Sequence, residues 1–186
     1  PAPTKPQHAP STAAPIQYGA KQQSATPDNT SPPLPPEGIK RIQEAVGMFA
    51  WYSRSTDPIM AKTLSSIAGR QSKATEQLKK ELHQFLDYCA THPDEKVRYV
   101  ASDMTLALHS DASHLSEPGS KSRAAGHFYL TTNDHRDLNN GAILTLSKII
   151  KWVMGSASES EVAALFYNCK AALPLRLALQ EMGHPQ

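Results

Sequence analysis

The stretch LALHSDASHLSEPGSKSRAAGHFYL, residues 106–130, predicts two β-strands that flank a polar loop. Apolar residues alternate with small or polar ones towards Asp111, and a second strand-like run extends from Arg123 to Thr131. Asp111 is therefore expected where the first strand ends, in the step Ser-Asp-Ala-Ser. A carboxylate in that place is either a turn-former or a ligand, and the local pattern leaves both alternatives open.

Upstream of this stretch, the sequence predicts three helices. Apolar residues recur at steps of three and four over 37–52, 59–67 and 75–91. At Val97 and Tyr99 the spacing of the apolar residues falls to about two, and the first strand is expected to begin there.

Downstream of the stretch, one more strand and one more helix are expected. Ala142 to Val153 predicts the third strand. Ser156 or Ser158 is placed to cap the final helix. Pro174 is expected to bend or divide that helix, because its ring displaces the carbonyl group four residues earlier.

These elements predict an α+β chain. Residues 38–95 form a helical region, and residues 96–186 form a sheet of three antiparallel strands followed by a helix. The element that would normally come next is missing, so the sheet is expected to be incomplete. Residues 1–37 hold most of the 15 prolines and hardly any large apolar side chain, which predicts a disordered or extended linker.

Composition limits the class of protein. The chain begins with Pro and shows no apolar run typical of a signal peptide or membrane span, so we expect an intracellular, cytoplasmic piece of a longer protein with no membrane partner. Cys89 and Cys169 lack the spacing of a disulfide framework and are expected to be buried thiols on helices. The net charge of +2 predicts no general attraction to nucleic acid, so any such binding must come from local patches.

Asp111 and Glu161 are the candidate metal ligands. Glu161 lies in the first turn of the final helix, where unpaired backbone amides and the helix dipole favour an anion. If that helix crosses the sheet, the two carboxylates converge. Oxygen ligands suit Mg²⁺ or Mn²⁺ rather than zinc. The simpler alternatives are a turn-forming Asp and a Glu that only complements the helix dipole.

Three basic residues are candidates for contact with nucleic-acid phosphates: Lys121, Arg123 and Lys148. The alternative is a solvated face with strand-edge lysines that oppose aggregation. His109 and His114 flank Asp111 and have either a proton-transfer role or an ordinary hydrogen-bonded place at the surface.

Several ordered blocks resemble the ribonuclease H domain of copia-like LTR-retrotransposon polyproteins. The blocks are HSDAS, SRAAG and SKIIKWVMGSASESEVAAL. Upstream, IQEAVGMFAWYSRSTDPIM and LHQFLDYCATHPDEKVRY are similar to the segment that links the polymerase thumb to that domain. The resemblance extends from about Gly38 to Gln186, which makes 38–95 a thumb or connection region and 96–186 a truncated ribonuclease H-like domain.

The resemblance implies catalytic, metal-binding carboxylates at Asp111 and Glu161, with Glu159 as the rival of Glu161. It implies two Mg²⁺ or Mn²⁺ ions in the complete domain. The implied parent activity is hydrolysis of the RNA strand of RNA/DNA hybrids, recognised through the sugar-phosphate backbone. The implied partners are that hybrid and the remainder of the polyprotein, and the implied location is a retroelement particle in the cytoplasm.

This sequence departs from the family after the final helix. The family has a third carboxylate in a Thr-Asp-Asn strand end and usually a fourth, whereas no Asp follows Asp137 here and Glu181 lies at the helix tail. We therefore expect this chain alone to have little or no hydrolytic activity. The alternatives are a non-catalytic module, derived from a retroelement, that binds nucleic acid or a protein, and a pseudogene product that does not fold completely.

Overall fold

The computed structural model describes residues 3–12, 29–132 and 139–186. It confirms a mixed α+β chain with an open, antiparallel three-stranded sheet. The contacts divide the chain into two compact units, a helical unit that ends at Lys96 and a sheet unit that runs from Val97 to the last residue.

The helical unit contains the three predicted helices. They are α1, Pro36–Ser55; α2, Met60–Arg70; and α3, Glu76–Thr91, with a short 3-10 turn at Gln71–Lys73. Pro36 opens α1, where its missing N–H costs nothing. Thr75 caps α3 by accepting a hydrogen bond from the Leu78 N–H. The helices share one apolar core, built from Leu34, Ile42, Met60, Leu64, Ile67, Ala74, Leu78, Leu82, Phe85 and Tyr88.

A buried carboxylate joins two of these helices. Asp57 accepts a hydrogen bond from the Ile59 N–H at 3.0 Å and another from the Tyr88 hydroxyl at 3.1 Å. Burial, and next the charge of Asp57, raise the pKa of Tyr88. The same causes, again with burial first, raise the pKa of Cys89 to about 12. The thiol of Cys89 is therefore protonated at neutral pH.

The segment before α1 is extended over residues 29–35 and attached to the helical unit. The Leu34 N–H donates to the Ala74 carbonyl at 2.9 Å, the Glu76 N–H donates to the Pro32 carbonyl at 2.9 Å, and the Leu34 side chain is buried. Residues 29–35 therefore fit the prediction of an extended linker rather than the alternative of a disordered one. The part of the predicted linker at 13–28 lies outside the described residues.

The sheet unit contains β1, Thr105–Glu117; β2, Lys121–Thr131; and β3, Ala142–Ile149. They are antiparallel in the order β1-β2-β3, which leaves β1 at one edge. The expected start of the first strand at Val97 is wrong, since β1 begins at Thr105, and the expected end of the third strand at Val153 is four residues too far.

The prediction that Asp111 ends the first strand is also wrong. Asp111 pairs with Ala125 in the middle of β1, and the strand continues through an irregularity after Ser113 to pair Glu117 with Lys121. Gly119 and Ser120 have φ of 71° and 53°, which closes the hairpin tightly. The stretch predicted as a polar loop is therefore mostly strand, and Asp111 is not a turn-former.

Helix α4, Ala157–Glu181, lies against β1 and β2. Ser156 caps it by accepting a hydrogen bond from the Glu159 N–H. The helix is continuous through Pro174, so the prediction that this proline could divide it is wrong. Cys169 is exposed rather than buried, because it lies on the side of α4 away from the sheet; Cys89 is half-buried.

Gly126→Ala is expected to destabilise the sheet unit by about 1–3 kcal/mol, because the new methyl group would overlap its neighbours. A Cβ at Gly126 would lie 2.1 Å from Oδ1 of Asn168 and 2.9 Å from Cε2 of Phe128. Urea unfolding followed by circular dichroism measures the change. Gly47→Ala is the control, because its Cβ meets nothing within 4 Å inside α1 and should stabilise by about 0.5–1 kcal/mol. Equal effects of the two substitutions would contradict the close contact.

Alkylation at pH 8 should modify Cys169 well before Cys89. Cys169 is exposed, whereas the raised pKa of Cys89, about 12, leaves almost no thiolate at that pH. Mass spectrometry after timed iodoacetamide treatment identifies the modified thiol. Cys89 should react only after urea unfolding, and modification of both thiols at one rate in the folded protein would contradict the buried environment.

Candidate functional site

The two faces of the sheet have different surroundings. On β1, the side chains of Ser110, Ala112 and His114 face α4, since Ser110 bonds to Asn168, Ala112 packs on the α4 core and His114 bonds to Ser160. Successive side chains of a strand point to opposite faces. The exposed Asp111 side chain therefore projects from the face of the sheet that α4 does not cover.

Glu161 nevertheless reaches β1 beside Asp111. Its Oε1 accepts a hydrogen bond from the Ala112 N–H at 3.2 Å, and that nitrogen belongs to the peptide bond that follows Asp111. The Ala112 N–H points out of the edge of the sheet, so the Glu161 carboxylate lies at that edge. Glu161 therefore contacts the peptide group that follows Asp111, whereas the Asp111 side chain projects from the face of the sheet opposite to α4.

Glu159 has a different role in the same helix turn. Its Oε2 accepts a hydrogen bond from the Gly155 N–H at 2.6 Å, while its own N–H donates to Oγ of Ser156 at 3.1 Å. This arrangement is similar to a capping box, except that the Glu159 carboxylate binds the N–H of Gly155 rather than that of the N-cap residue Ser156, and it satisfies two backbone donors at the start of α4. Of the two glutamates in SESEV, only Glu161 contacts β1 among the hydrogen bonds of the described residues.

The donor chemistry of Asp111 and Glu161 fits a hard divalent cation. Mg²⁺ commonly binds one or two carboxylates and completes its shell with water and substrate phosphate. Among the described residues, no group of three or more His, Cys, Asp or Glu side chains is placed to hold a metal ion. The expected Mg²⁺ or Mn²⁺ site at Asp111 and Glu161 stays a prediction.

The three basic candidates have unequal access to solvent. Arg123 is buried, with Nε donating to Oε1 of Glu117 at 2.7 Å and Nη1 donating to Oγ of Ser147 at 3.0 Å. Because its guanidinium forms these bonds in the protein interior, it does not fit the expected contact with phosphate. Lys148 is exposed and lies 4.6 Å from the centre of the Tyr167 ring. Lys121 is half-exposed at the hairpin.

A polar network between α4 and the sheet was not anticipated from the sequence. His114 Nδ1 lies 2.9 Å from Oγ of Ser160, which donates to Oγ of Ser122 at 3.1 Å. Both serines are completely buried, so this is a structural network rather than an accessible nucleophile. The two serines are visible in the sequence, Ser122 on β2 and Ser160 on α4. Nothing in their spacing along the chain distinguishes a buried serine from an exposed one.

A second cluster lies on the face of the sheet that α4 leaves uncovered. His109 stacks on Tyr129 with ring centres 5.3 Å apart, and its Nε2 lies 2.9 Å from the Tyr129 hydroxyl and 2.8 Å from Oδ1 of Asn139. His127 lies directly across from His109 on β2. The cluster holds His109 in place two residues from Asp111, on the same face.

The outward side of α4 is apolar. Several large side chains there are exposed: Val162, Leu165, Phe166, Leu173 and Leu177. By length and composition alone this helix could cross a membrane, because 18 of its residues have a mean hydropathy of 1.3 and 17% of that window is buried. Core helices of water-soluble proteins satisfy the same criterion, so the expectation of no membrane partner stays a prediction.

Comparison with known proteins gives no match. No family model, no curated protein and no solved structure is similar enough to this chain to assign it to a family.

Glu117→Ala is expected to lower the free energy of unfolding by about 3–5 kcal/mol, because Arg123 would remain buried without its carboxylate partner. The two side chains are each 4% exposed. Urea unfolding measures the loss. Lys121→Ala in the same hairpin is the control and should change stability by less than about 0.5 kcal/mol. If the two substitutions cost the same, the buried pair of Glu117 and Arg123 would not be what stabilises the hairpin.

Proposed function

We propose that the sheet unit is the first part of a ribonuclease H-type nuclease domain, and that the whole chain is a fragment of a copia-like LTR-retrotransposon polyprotein. The parent activity is divalent-metal-dependent hydrolysis of the RNA strand of RNA/DNA hybrids. Asp111 and Glu161 are its metal ligands in this chain. The helical unit is the connection between the polymerase thumb and the nuclease domain.

The observation that carries this proposal is the hydrogen bond from the Ala112 N–H to Glu161. It brings the carboxylate of Glu161, which lies 50 residues after Asp111 in the sequence, to the peptide bond that follows Asp111. Binding of one divalent cation by both carboxylates requires the Asp111 side chain to turn towards this edge, because it projects from the face of the sheet opposite to α4. This position also supports Glu161 over Glu159 as the ligand, because the Glu159 carboxylate is engaged in the helix cap.

The two carboxylates are the part of the chemistry that these residues supply. When bound, the ions would activate the attacking water and stabilise the leaving oxygen of the phosphodiester. The bond to the backbone orients Glu161 towards the sheet edge, and the exposed Asp111 side chain projects from the other face of β1. The exposed Lys148 and the half-exposed Lys121 remain candidates for contacts with the hybrid backbone, whereas the buried Arg123 supports the local fold instead.

A non-catalytic interaction module derived from a retroelement is the second candidate function. The exposed apolar side of α4, with Phe166 65% and Val162 67% exposed, favours it. Such a surface on a folded chain commonly marks a contact with another protein.

Thermal unfolding in rising Mg²⁺ or Mn²⁺ tests the metal site. Saturation at ten times the dissociation constant should stabilise the protein by about 1.4 kcal/mol. Asp111→Asn and Glu161→Gln should each abolish this stabilisation, because each removes half of the protein ligands. Glu159→Gln is the matched control, since it changes a neighbouring carboxylate that caps the helix, and should leave the metal response intact.

An unchanged metal response in both Asp111→Asn and Glu161→Gln would remove the proposed site. If, in addition, a labelled RNA/DNA hybrid binds in a salt-sensitive way that Asp111→Asn does not alter, the interaction module is the better description. In a hybrid-cleavage assay we expect no turnover by this chain alone, because it has no counterpart of the third carboxylate. Turnover that both substitutions abolish would contradict that expectation while supporting the nuclease assignment.

A further inference from the structure

Residues 3–12 lie along α3, held mainly by one carboxylate. The Thr4 N–H donates to Oδ1 of Asp87 at 2.9 Å, and the Thr4 hydroxyl donates to Oδ2 of the same side chain at 2.6 Å. A single carboxylate thus receives both donors of one residue, across 83 positions of sequence. This paired contact sets the register of the segment on the helix.

The contacts continue towards the end of α3. The Gln7 N–H donates to Oγ1 of Thr91 at 3.1 Å, and Nδ1 of His8 lies 3.2 Å from Nε2 of His92. Nε2 of Gln84 donates to the Ala9 carbonyl at 3.4 Å. Gln84, Asp87 and Thr91 follow steps of three and four and so share one face of α3, and His92 is the residue that caps its end.

These contacts are polar and lie near the surface. The sequence of residues 3–12, PTKPQHAPST, contains no large apolar side chain. The segment at 29–35 differs, because there Leu34 is buried in the core. Residues 3–12 are therefore held by directional hydrogen bonds, and their prolines lower the entropy lost on adopting one extended conformation.

We propose that Gln84, Asp87 and Thr91 on one face of α3, together with His92 at its C-cap, form a docking surface for an extended, proline-containing peptide, and that residues 3–12 of this chain are its occupant. The segment acts as a reversible strap that is latched by Thr4 on Asp87. This inference is independent of the proposed nuclease function, since it concerns only the helical unit. A negative charge at Thr4 would release the strap, because it would remove a donor and face the Asp87 carboxylate.

The electrostatics of Asp87 agree with the latch. The hydrogen bond from the Thr4 hydroxyl, and next the bond from its N–H, hold the pKa of Asp87 below the ordinary value of 3.8, with a smaller effect from His83 in the same direction. A carboxyl group with a lowered pKa in the docked state favours docking above its ordinary pKa. The latch therefore weakens as the pH falls through the lowered pKa.

Amide hydrogen exchange in the full chain tests the strap. The N–H groups of Thr4 and Gln7 should exchange about tenfold or more slowly than in the free peptide, because both are donors in the docked state. Asp87→Ala should return both amides to the free-peptide rate while Phe85, inside α3, keeps its protection. Asp94→Ala is the control, since it removes a carboxylate beyond the end of α3, and should leave both amides slow.

A competition experiment tests the surface itself. In the Thr4→Glu full chain, a synthetic peptide of residues 3–12 at concentrations on the order of millimolar should shift the amide resonances of Asp87 and Thr91 saturably. The same peptide carrying Thr4→Glu should not. Continued protection of Gln7 in Asp87→Ala, equal binding of both peptides, or no binding of either peptide would each overturn the proposal.

Discussion

The close approach of α4 to the sheet at Asn168 is the contact on which the arrangement of the sheet unit depends. The Asn168 side chain is fully buried, and its Nδ2 donates both to Oγ of Ser110 and to the Ala125 carbonyl at 2.8 Å. Gly126 leaves the space that this side chain occupies. One turn earlier, Ala164 packs on Ala124 with no exposed surface on either. Small residues on both elements let the helix lie near enough for these bonds.

That approach determines where Glu161 lies. Glu161, Ala164 and Asn168 are separated by steps of three and four, so they occupy one side of α4. With Asn168 bonded to the sheet and Ala164 packed on it, the first turn of the helix overhangs the edge strand β1. Glu161 can then reach the Ala112 N–H without leaving its helical position. The candidate site is a consequence of how small residues pack two turns further along the helix.

Glu161 covers part of the exposed edge of β1. An edge strand exposes backbone groups that would otherwise pair with another strand. Besides Glu161, the side chain of Gln186 covers this edge, since its Oε1 accepts from the Leu106 N–H at 2.7 Å and its Nε2 donates to the Met104 carbonyl at 2.9 Å. Glu161 thus satisfies one backbone donor of this edge through its Oε1. Covering the edge explains the contact as seen, and metal binding is the function proposed for it.

The sequence by itself determined the helices, the presence of three strands and the helix after them, because hydrophobic periodicity and capping residues are local signals. It also placed Glu159 and Glu161 in the first turn of that helix, and the structure shows that Glu161 is the one that contacts the sheet. Only the tertiary structure decided that Asp111 lies inside β1, because strand length depends on pairing with β2, which the sequence near Asp111 does not encode. The same holds for Arg123, whose burial requires Glu117 and Ser147 to meet across strands, and for Thr4, whose partner Asp87 is distant in sequence. Only folding brings the side chains of such contacts together. No hydrophobic period or residue spacing along the chain therefore predicts them.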